Sequence, residues 1–448
     1  MKRVLIVCPR WLPLSAPDLQ RVRMSLPHYR ACGWNPVLLC VDSAQTDGVI
    51  EPELGAILPA DLPTYRCGAV SRALCRIVGV GSLGLRSWRH LWRSGLEIIK
   101  RERIDLVFVS TTEFVATFAA RLWKRDTGIP YVIDIQDPWQ TSHYEDTGTR
   151  PPGGWKYGFA RMVARVLEEP SFSRASGFMS VSPRYLDDLR HRYPWMGGRP
   201  SDTIEFGGSR EDLAAASAGP AAPIPALTRE HGEVHLVYTG AAGPIGLAAI
   251  EAVLQSLHEL ARSQPVEARR LHLHFVGTTY AAVPATASDI LLLAARLNLQ
   301  AQVHETTGRI TYLQSLRWQS QADGLLLLAA ADPAYSPSKL HPYFLSGRPI
   351  LAVVRERSLL RDLLRPLGGC VVAVVEDSPA SNRSHPKVLS FLQAALKGFP
   401  PGAVPPRETA YFHDHYSVQT LTRRQCELFD RVTRSANDQA PTSSHEPR

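Results

Sequence analysis

The chain has 448 residues, of which 44% are hydrophobic and 21% charged, which excludes both a single small core and an intrinsically disordered protein. Two domains of about 200 residues each are the natural expectation. The formal net charge of +8 favours anionic partners, but its sign alone does not choose among nucleoside diphosphates, lipid headgroups and nucleic acid.

Val4 to Val7 reads as a short strand, and the apolar run around it ends at Pro9 and Arg10. That is shorter than the roughly 7–15 residues of a signal-peptide core, and no run approaches the ~20 residues of a membrane span. The seven cysteines are an odd number without a C-x-x-C pair, as expected of free thiols in a reducing compartment. A cytoplasmic protein is therefore expected. Pro9 to Pro17 is a loop before a helix that starts near Asp18, which can cap it, with Arg21 in its first turn. Asn35 to Val41 is the next strand, so a Rossmann-like β-loop-α-β unit opens the chain. Asp18 and Arg21 are either structural or part of a ligand-facing first loop.

Residues 86–103 place Trp88, Leu91, Trp92, Gly95 and Ile99 on one helical face and Arg86, Arg89, Arg93, Glu97 and Lys100 on the other. Such a helix either packs on a sheet before the strand Asp105 to Ser110 or lies on an anionic membrane surface. Ile129 to Ile135 is a buried strand leading into Asp134-Ile135-Gln136-Asp137-Pro138-Trp139. Two carboxylates and an indole at the carboxyl end of a parallel strand suit a ligand site, although Asp137-Pro138 can equally form a turn that Trp139 packs under. Trp155 to Leu167 reads as an aromatic, basic helix, and Ala175 to Val181 as a further strand. The first domain is expected over 1–209, followed by an Ala/Pro-rich linker, 210–232.

The second domain, 233–405, restarts the pattern with the strand Val234 to Thr239, the turn Gly240-Ala241-Ala242-Gly243 and a helix from Pro244 to Arg262. Leu271 to Val276 is another strand. Ala322 to Ala330 is an unbroken apolar run that suits a strand covered on both faces. The loop that follows contains Tyr335 and leads to Ser338 as N-cap of a short helix, 339–346, with Lys339 in its first turn and Gly347 at its end. Such a helix start beyond a parallel strand can receive a phosphate, or Ser338 can simply cap and Lys339 simply solvate. A terminal helix within 406–434 is expected to pack back on the first domain, and 435–448 to be a disordered tail.

The segment Ala322-Asp323-Gly324-Leu325 to Pro337-Ser338-Lys339-Leu340, with Tyr343 to Leu351, resembles the donor site of GT-B glycosyltransferases of family 4 (glycosyl transferases group 1). Asp134 to Trp139 resembles that family's Asp-x-Arg-Asp-Pro-Trp pattern, with Gln136 in place of Arg. The fold the resemblance implies is α/β, with two Rossmann-like domains facing each other across a cleft. The function it implies is retaining, metal-independent transfer of a sugar from a nucleotide-activated donor to a glycan, lipid-linked or other hydroxyl acceptor. No D-x-D triplet occurs, and no metal or cofactor beyond the donor is expected. Asp137 and Lys339 are the expected catalytic residues. Gly240, Arg309, Tyr335, Ser338 and Lys339 are expected at the donor, and Asp18, Arg21, Asp134 and Trp139 at the acceptor. Peripheral contact with an anionic membrane is also expected, and nucleic-acid binding is not.

The chain departs from the family at its Glu-x7-Glu pair, where Ala334 and Pro342 stand, and at the Arg and Lys that often follow Gly240. A non-catalytic relative acting as a binding or regulatory protein, or a nucleotide-sugar epimerase, is the alternative.

Overall fold

The computed structural model describes residues 1–77, 81–140, 154–218, 224–229, 232–242, 246–279, 288–329, 337–375 and 384–438. The chain divides into two units, one of Met1–Glu205 with Val418–Arg448 and one of Phe206–Ser417. In the first, the strands are β1 (Lys2–Val7), β2 (Leu14–Ser15), β3 (Trp34–Val41), β4 (Val49–Ile50), β5 (Thr64–Cys67), β6 (Leu106–Ser110), β7 (Tyr131–Ile135), β8 (Gly177–Ser180) and β9 (Ser201–Thr203). Seven of them pair in parallel in the order β5-β3-β1-β6-β7-β8-β9, with β2 and β4 forming a separate antiparallel pair. This is the doubly wound order, and the winding reverses between β1 and β6. Every residue of β6 and β7 is buried, because helices cover both faces of the sheet, so these strands read as apolar runs without alternation.

The helices of this unit used below are α1 (Gln20–Ser25), α2 (Leu83–Arg101), α3 (Ala116–Thr127) and α4 (Trp155–Ser173). Helices α2 and α4 both pack on α3. At the α2–α3 crossing a Cβ on Gly95 would lie 2.1 Å from Trp123 Cζ2, so only glycine admits the indole, whose Nε1 donates to the Trp92 carbonyl at 2.7 Å. The faces of α2 differ from the helical-wheel expectation. Arg86 is buried and donates to the carbonyl of Val70 at 2.9 Å and to that of Gln45, whereas Trp88 and Trp92 stay half-buried. Two loop carbonyls turned inward require a long donor, and the arginine supplies it.

In the second unit β10 (Val234–Thr239), β11 (Leu271–Val276), β12 (Val303–Thr306), β13 (Gly324–Leu328), β14 (Ile350–Arg355) and β15 (Cys370–Val375) pair in parallel in the order β12-β11-β10-β13-β14-β15. The winding reverses between β10 and β13. The stretch expected to be a linker contains α5 (Arg210–Ala218), which belongs to this unit and packs on a helix we call α7 (Tyr312–Gln321); α6 is Leu247–Ser263. Ala-rich composition there reflects close helix packing rather than a free tether. The chain crosses between units at Glu205/Phe206 instead.

The segment 406–434 is likewise not one return. After α8 (Leu340–Leu345), helix α9 (Thr409–Tyr416) stays in the second unit, where Phe412 stacks on Phe344 at 4.7 Å. Helix α10 (Val418–Asp438) belongs to the first. Its Phe429 meets the rings of Tyr29, Trp34 and Phe108 at 6.1, 5.5 and 5.1 Å. Gln425 accepts from Tyr29 Oη at 2.9 Å and donates to Ser25 Oγ at 3.1 Å. A helix with 428 and 429 in the core of the first sheet is part of that fold. It also occupies the beginning of the stretch expected to be disordered, and 439–448 lie outside the described residues.

Four histidines lie across β10, β11 and β12. His235 Nδ1 is 3.0 Å from His274 Nε2, and His272 Nδ1 is 3.0 Å from His304 Nε2. His235 Nε2 donates to the Thr228 carbonyl at 2.9 Å, which makes its Nδ1 the acceptor for His274. The rings stack and bond one another instead of converging, and among the described residues no group of three or more His, Cys, Asp or Glu could hold a metal ion.

Candidate functional site

Parallel doubly wound sheets bind ligands beyond the carboxyl ends of the strands at the point where the winding reverses, because there the flanking loops splay apart. In the second unit that point lies beyond β10 and β13. Strand β10 ends at Thr239, and Gly240 follows with φ +109°, a conformation that a side chain would oppose. A Cβ on Gly240 would sit 3.1 Å from Lys339 Nζ. The ammonium itself lies 3.9 Å from the Tyr238 ring centroid, a cation–π contact that holds it over the end of the strand.

The structure thus brings together two of the residues expected at a donor, Gly240 and Lys339. Lys339 itself is the N-cap of α8, and Ser338 is exposed one residue earlier, so Ser338 does not cap the helix. With Pro342 in its middle α8 has only six residues, and its first turn begins too late for the Ser338 hydroxyl to reach. Arg309 is exposed in the loop after β12, where the neighbouring Ile310 approaches Gly277 beyond β11. Tyr335 lies outside the described residues, as does Gly243.

The floor of this site is a polar network that sequence patterning missed. Tyr343 Oη accepts from the Thr239 amide at 2.9 Å and lies 3.3 Å from Thr239 Oγ1, which in turn accepts from Gln319 Nε2 at 3.1 Å. Burial pushes the Tyr343 phenol up, partly offset by Lys339, so it remains a neutral hydroxyl. Lys339 and Tyr343 are one helical turn apart, and that spacing was the available signal. Beside it Thr278 Oγ1 donates to Glu305, whose other oxygen is buried without a hydrogen-bond partner among the described residues.

In the first unit the reversal lies between β1 and β6. Arg10, in the loop after β1, pairs with Asp18 at 3.5 Å and with Glu113 in the loop after β6. Asp18 does not cap a helix. It is buried and accepts from Thr111 Oγ1 at 3.3 Å and from Thr112 N and Oγ1 at 3.3 and 3.2 Å. Arg21 and Asp134 form a buried ion pair at 3.0 Å, with Ser110 and Gln136 donating to the carboxylate at 2.7 and 3.0 Å. Burial pushes the Asp134 carboxyl up and the Arg21 charge opposes that shift.

Asp18, Arg21 and Asp134 are therefore withdrawn from solvent, and the reading of them as acceptor contacts is corrected. They hold the β1, β6 and β7 loops together, and Gln136, in the position where the resembling pattern has Arg, donates into the same network.

Asp137 is exposed immediately beyond β7. Trp139 stacks on Phe114 at 5.4 Å, with 19° between planes, and lines a cavity of 560 Å³ together with Glu113, Tyr157, Phe159 and Arg192. Arg192 also pairs with Glu168 at 2.6 Å. An indole face, hydroxyls and cations around one concavity suit a sugar or an apolar–anionic ligand.

Residues 20–200 match the family profile described as Glycosyl transferase 4-like domain. No curated protein matches the sequence. Among solved structures, Anabaena Alr3699/HepE, crystallised with UDP, superposes with a TM-score of 0.58 at 13% identity, covering 96% of this chain and 100% of its own. A UDP-forming α,α-trehalose-phosphate synthase from Burkholderia xenovorans gives 0.59 at 12%, covering 98% and 100%. A glycosyltransferase from Rickettsia africae gives 0.58 at 11%, covering 96% and 98%. The first unit thus carries a glycosyl transferase 4-like domain over residues 20–200, in a chain with the GT-B fold.

Proposed function

We propose that this protein transfers a sugar from a nucleotide-activated donor to a hydroxyl acceptor. The observation that carries the reading is Lys339 Nζ held over the end of β10 beside the side-chain-free Gly240. A diphosphate there would meet a full positive charge and a backbone it can approach closely. As the bond between the anomeric carbon and the diphosphate oxygen breaks, its electron pair goes to the leaving group, and Lys339 stabilises the charge that develops. The acceptor oxygen bonds to the anomeric carbon, and its proton passes to the departing diphosphate oxygen. Asp137 orients that hydroxyl on the first unit, and Trp139 offers a stacking face for a sugar ring. Arg309 assists at the diphosphate. Retention of configuration and independence of metal are part of this reading, by resemblance. The solved relatives named with UDP make UDP the nucleotide to test first.

The experiment is UDP release from a panel of UDP-sugars, with and without acceptors, by wild type and Lys339→Ala, with UDP affinity by calorimetry. Removing one such charge-stabilising group costs about 10²–10³ in rate. Release that requires acceptor and falls by that order supports a transferase. Donor conversion without acceptor points to an epimerase. Equal UDP affinity of the two proteins, or no UDP binding at all, removes the donor assignment and leaves a non-catalytic relative.

A further inference from the structure

Four cations gather where helix α4 ends. Arg121 donates to the Pro170 carbonyl at 2.5 Å and to Ser173 Oγ at 3.1 Å. Lys124, one turn further along α3, donates to Ser176 Oγ at 2.8 Å. Arg199 donates to the carbonyls of Phe172 and Ser173 at 3.2 and 2.7 Å and to that of Ala175, with its guanidinium 4.9 Å from the Trp195 ring. Arg174, in the same segment, is exposed. The Ser176 amide donates to the Tyr131 carbonyl at 2.8 Å, which puts the cluster at the amino ends of β7 and β8, across the sheet from the carboxyl-end loops described above.

Helix capping accounts for only part of this. The last carbonyls of a helix lack partners and attract donors, but they present the equivalent of roughly half a negative charge. Here four full positive charges surround them, and Arg121 and Lys124 stand three residues apart on one helix, where like charges repel. No carboxylate pairs with any of the four among the described residues. Glu168 is taken by Arg192 and Asp126 by Arg125, and the charge of Glu169 bears on Tyr193. Burial, then Arg199 and Arg174, pushes the Lys124 ammonium below its usual range, and burial raises the Tyr131 phenol while Arg121, Arg199 and Arg174 oppose it. Every charge acting on these two groups is positive. A half-buried group of like charges without a counter-charge has the composition of an anion site.

Ser176 Oγ accepts from Lys124 and keeps its own proton to donate. Guanidinium forks, an ammonium and a hydroxyl suit a tetrahedral oxyanion that carries close to two charges. We propose that Arg121, Lys124, Arg174 and Arg199 bind a phosphate dianion, either inorganic or carried by a small phosphorylated molecule. Arg121, Lys124 and Arg199 are half-buried, so a soluble phosphate can enter among them, whereas a flat lipid surface would meet Arg174 alone. The site shares no residue with the donor side or with the Trp139 cavity, and the proposal does not depend on the transferase reading.

The test is titration of the full chain with sodium phosphate and with glycerol 3-phosphate, against chloride at matched ionic strength, followed by calorimetry and thermal melting. All proteins carry Lys339→Ala, so that the donor side cannot supply the signal. Arg174→Gln, which removes a side chain without a hydrogen bond among the described residues, and Lys124→Gln/Arg174→Gln are compared with the parent, and hydrogen exchange locates the binding. Phosphate should raise the melting temperature of the parent and slow exchange of the amides of residues 173–177. Arg174→Gln should weaken binding and the double variant should weaken it about tenfold or more. In chloride Arg174→Gln should melt no lower than the parent, because a repelling charge has been removed. Absence of saturable binding, equal binding by the variants, or protection only at other residues overturns the proposal and leaves the cations as caps of α4. Binding to phosphatidylglycerol vesicles through these residues without binding of soluble phosphate also overturns it and assigns the cluster to lipid.

Discussion

Acidification should weaken the second unit through two buried histidines. Burial, with His304, His235 and His272 around it, brings the His274 imidazole down to about 3, and burial alone brings His341 down to about 3. His274 is bonded to His235 and also faces Trp318, with Glu233 lining the same groove; His341 packs between Phe412 and Tyr416, and neither of its nitrogens has a hydrogen-bond partner among the described residues. A base whose folded value is depressed is protonated first in the unfolded chain. Its contribution to stability is therefore complete above the unfolded value, 6.5, and is lost as the pH falls towards the folded one. Between those limits each group costs about 1.4 kcal/mol per pH unit. From neutral pH to about pH 5 that is about 2 kcal/mol each, or about 4 kcal/mol together.

Hydrogen exchange of the β11 and β13 amides reports the second unit separately from the first. Corrected for intrinsic rates, protection should fall about a thousandfold further in wild type than in His274→Gln/His341→Met over that interval. Buried carboxylates titrate alike in both proteins, so the difference isolates the histidines. An identical pH response in the two proteins would refute the reasoning.

Lys339→Arg should recover only part of the activity lost in Lys339→Ala, because a wider guanidinium must displace the Tyr238 contact, and steady-state rates for the three proteins measure this. Asp137→Asn should lower turnover far more than UDP affinity, and an unchanged rate would leave Asp137 a purely structural role. Phe429→Ala should cost the first unit about 3–5 kcal/mol, read by chemical denaturation, because its ring is fully buried among three others. Gly95→Ala should cost at least about 1–3 kcal/mol by overpacking against the rigid Trp123 indole, and a melt unchanged from wild type would count against the α2–α3 contact.

Several features followed from local sequence. Strands such as Gly324–Leu328 are legible because a strand buried on both faces runs apolar without alternation, and Gly240 marks a turn because the backbone there turns through positive φ. The Rossmann-like restarts could be anticipated on that basis, whereas the approach of Lys339 to Gly240 came only from the tertiary structure.

The destination of charged side chains could not. Asp18, Arg21 and Asp134 have the residue types of a binding loop, yet each finds its partner on a different strand or loop of the first sheet, and only the tertiary arrangement shows that Asp18 meets Arg10 and Arg21 meets Asp134. The same holds for Arg86, directed inward by two carbonyls distant in sequence, and for Tyr343 and Gln319, whose polar ends meet Thr239 across the core. Periodicity tells which face of a helix is apolar; whether that face is covered depends on what else reaches it. That is why Trp88 and Trp92 stand half-buried.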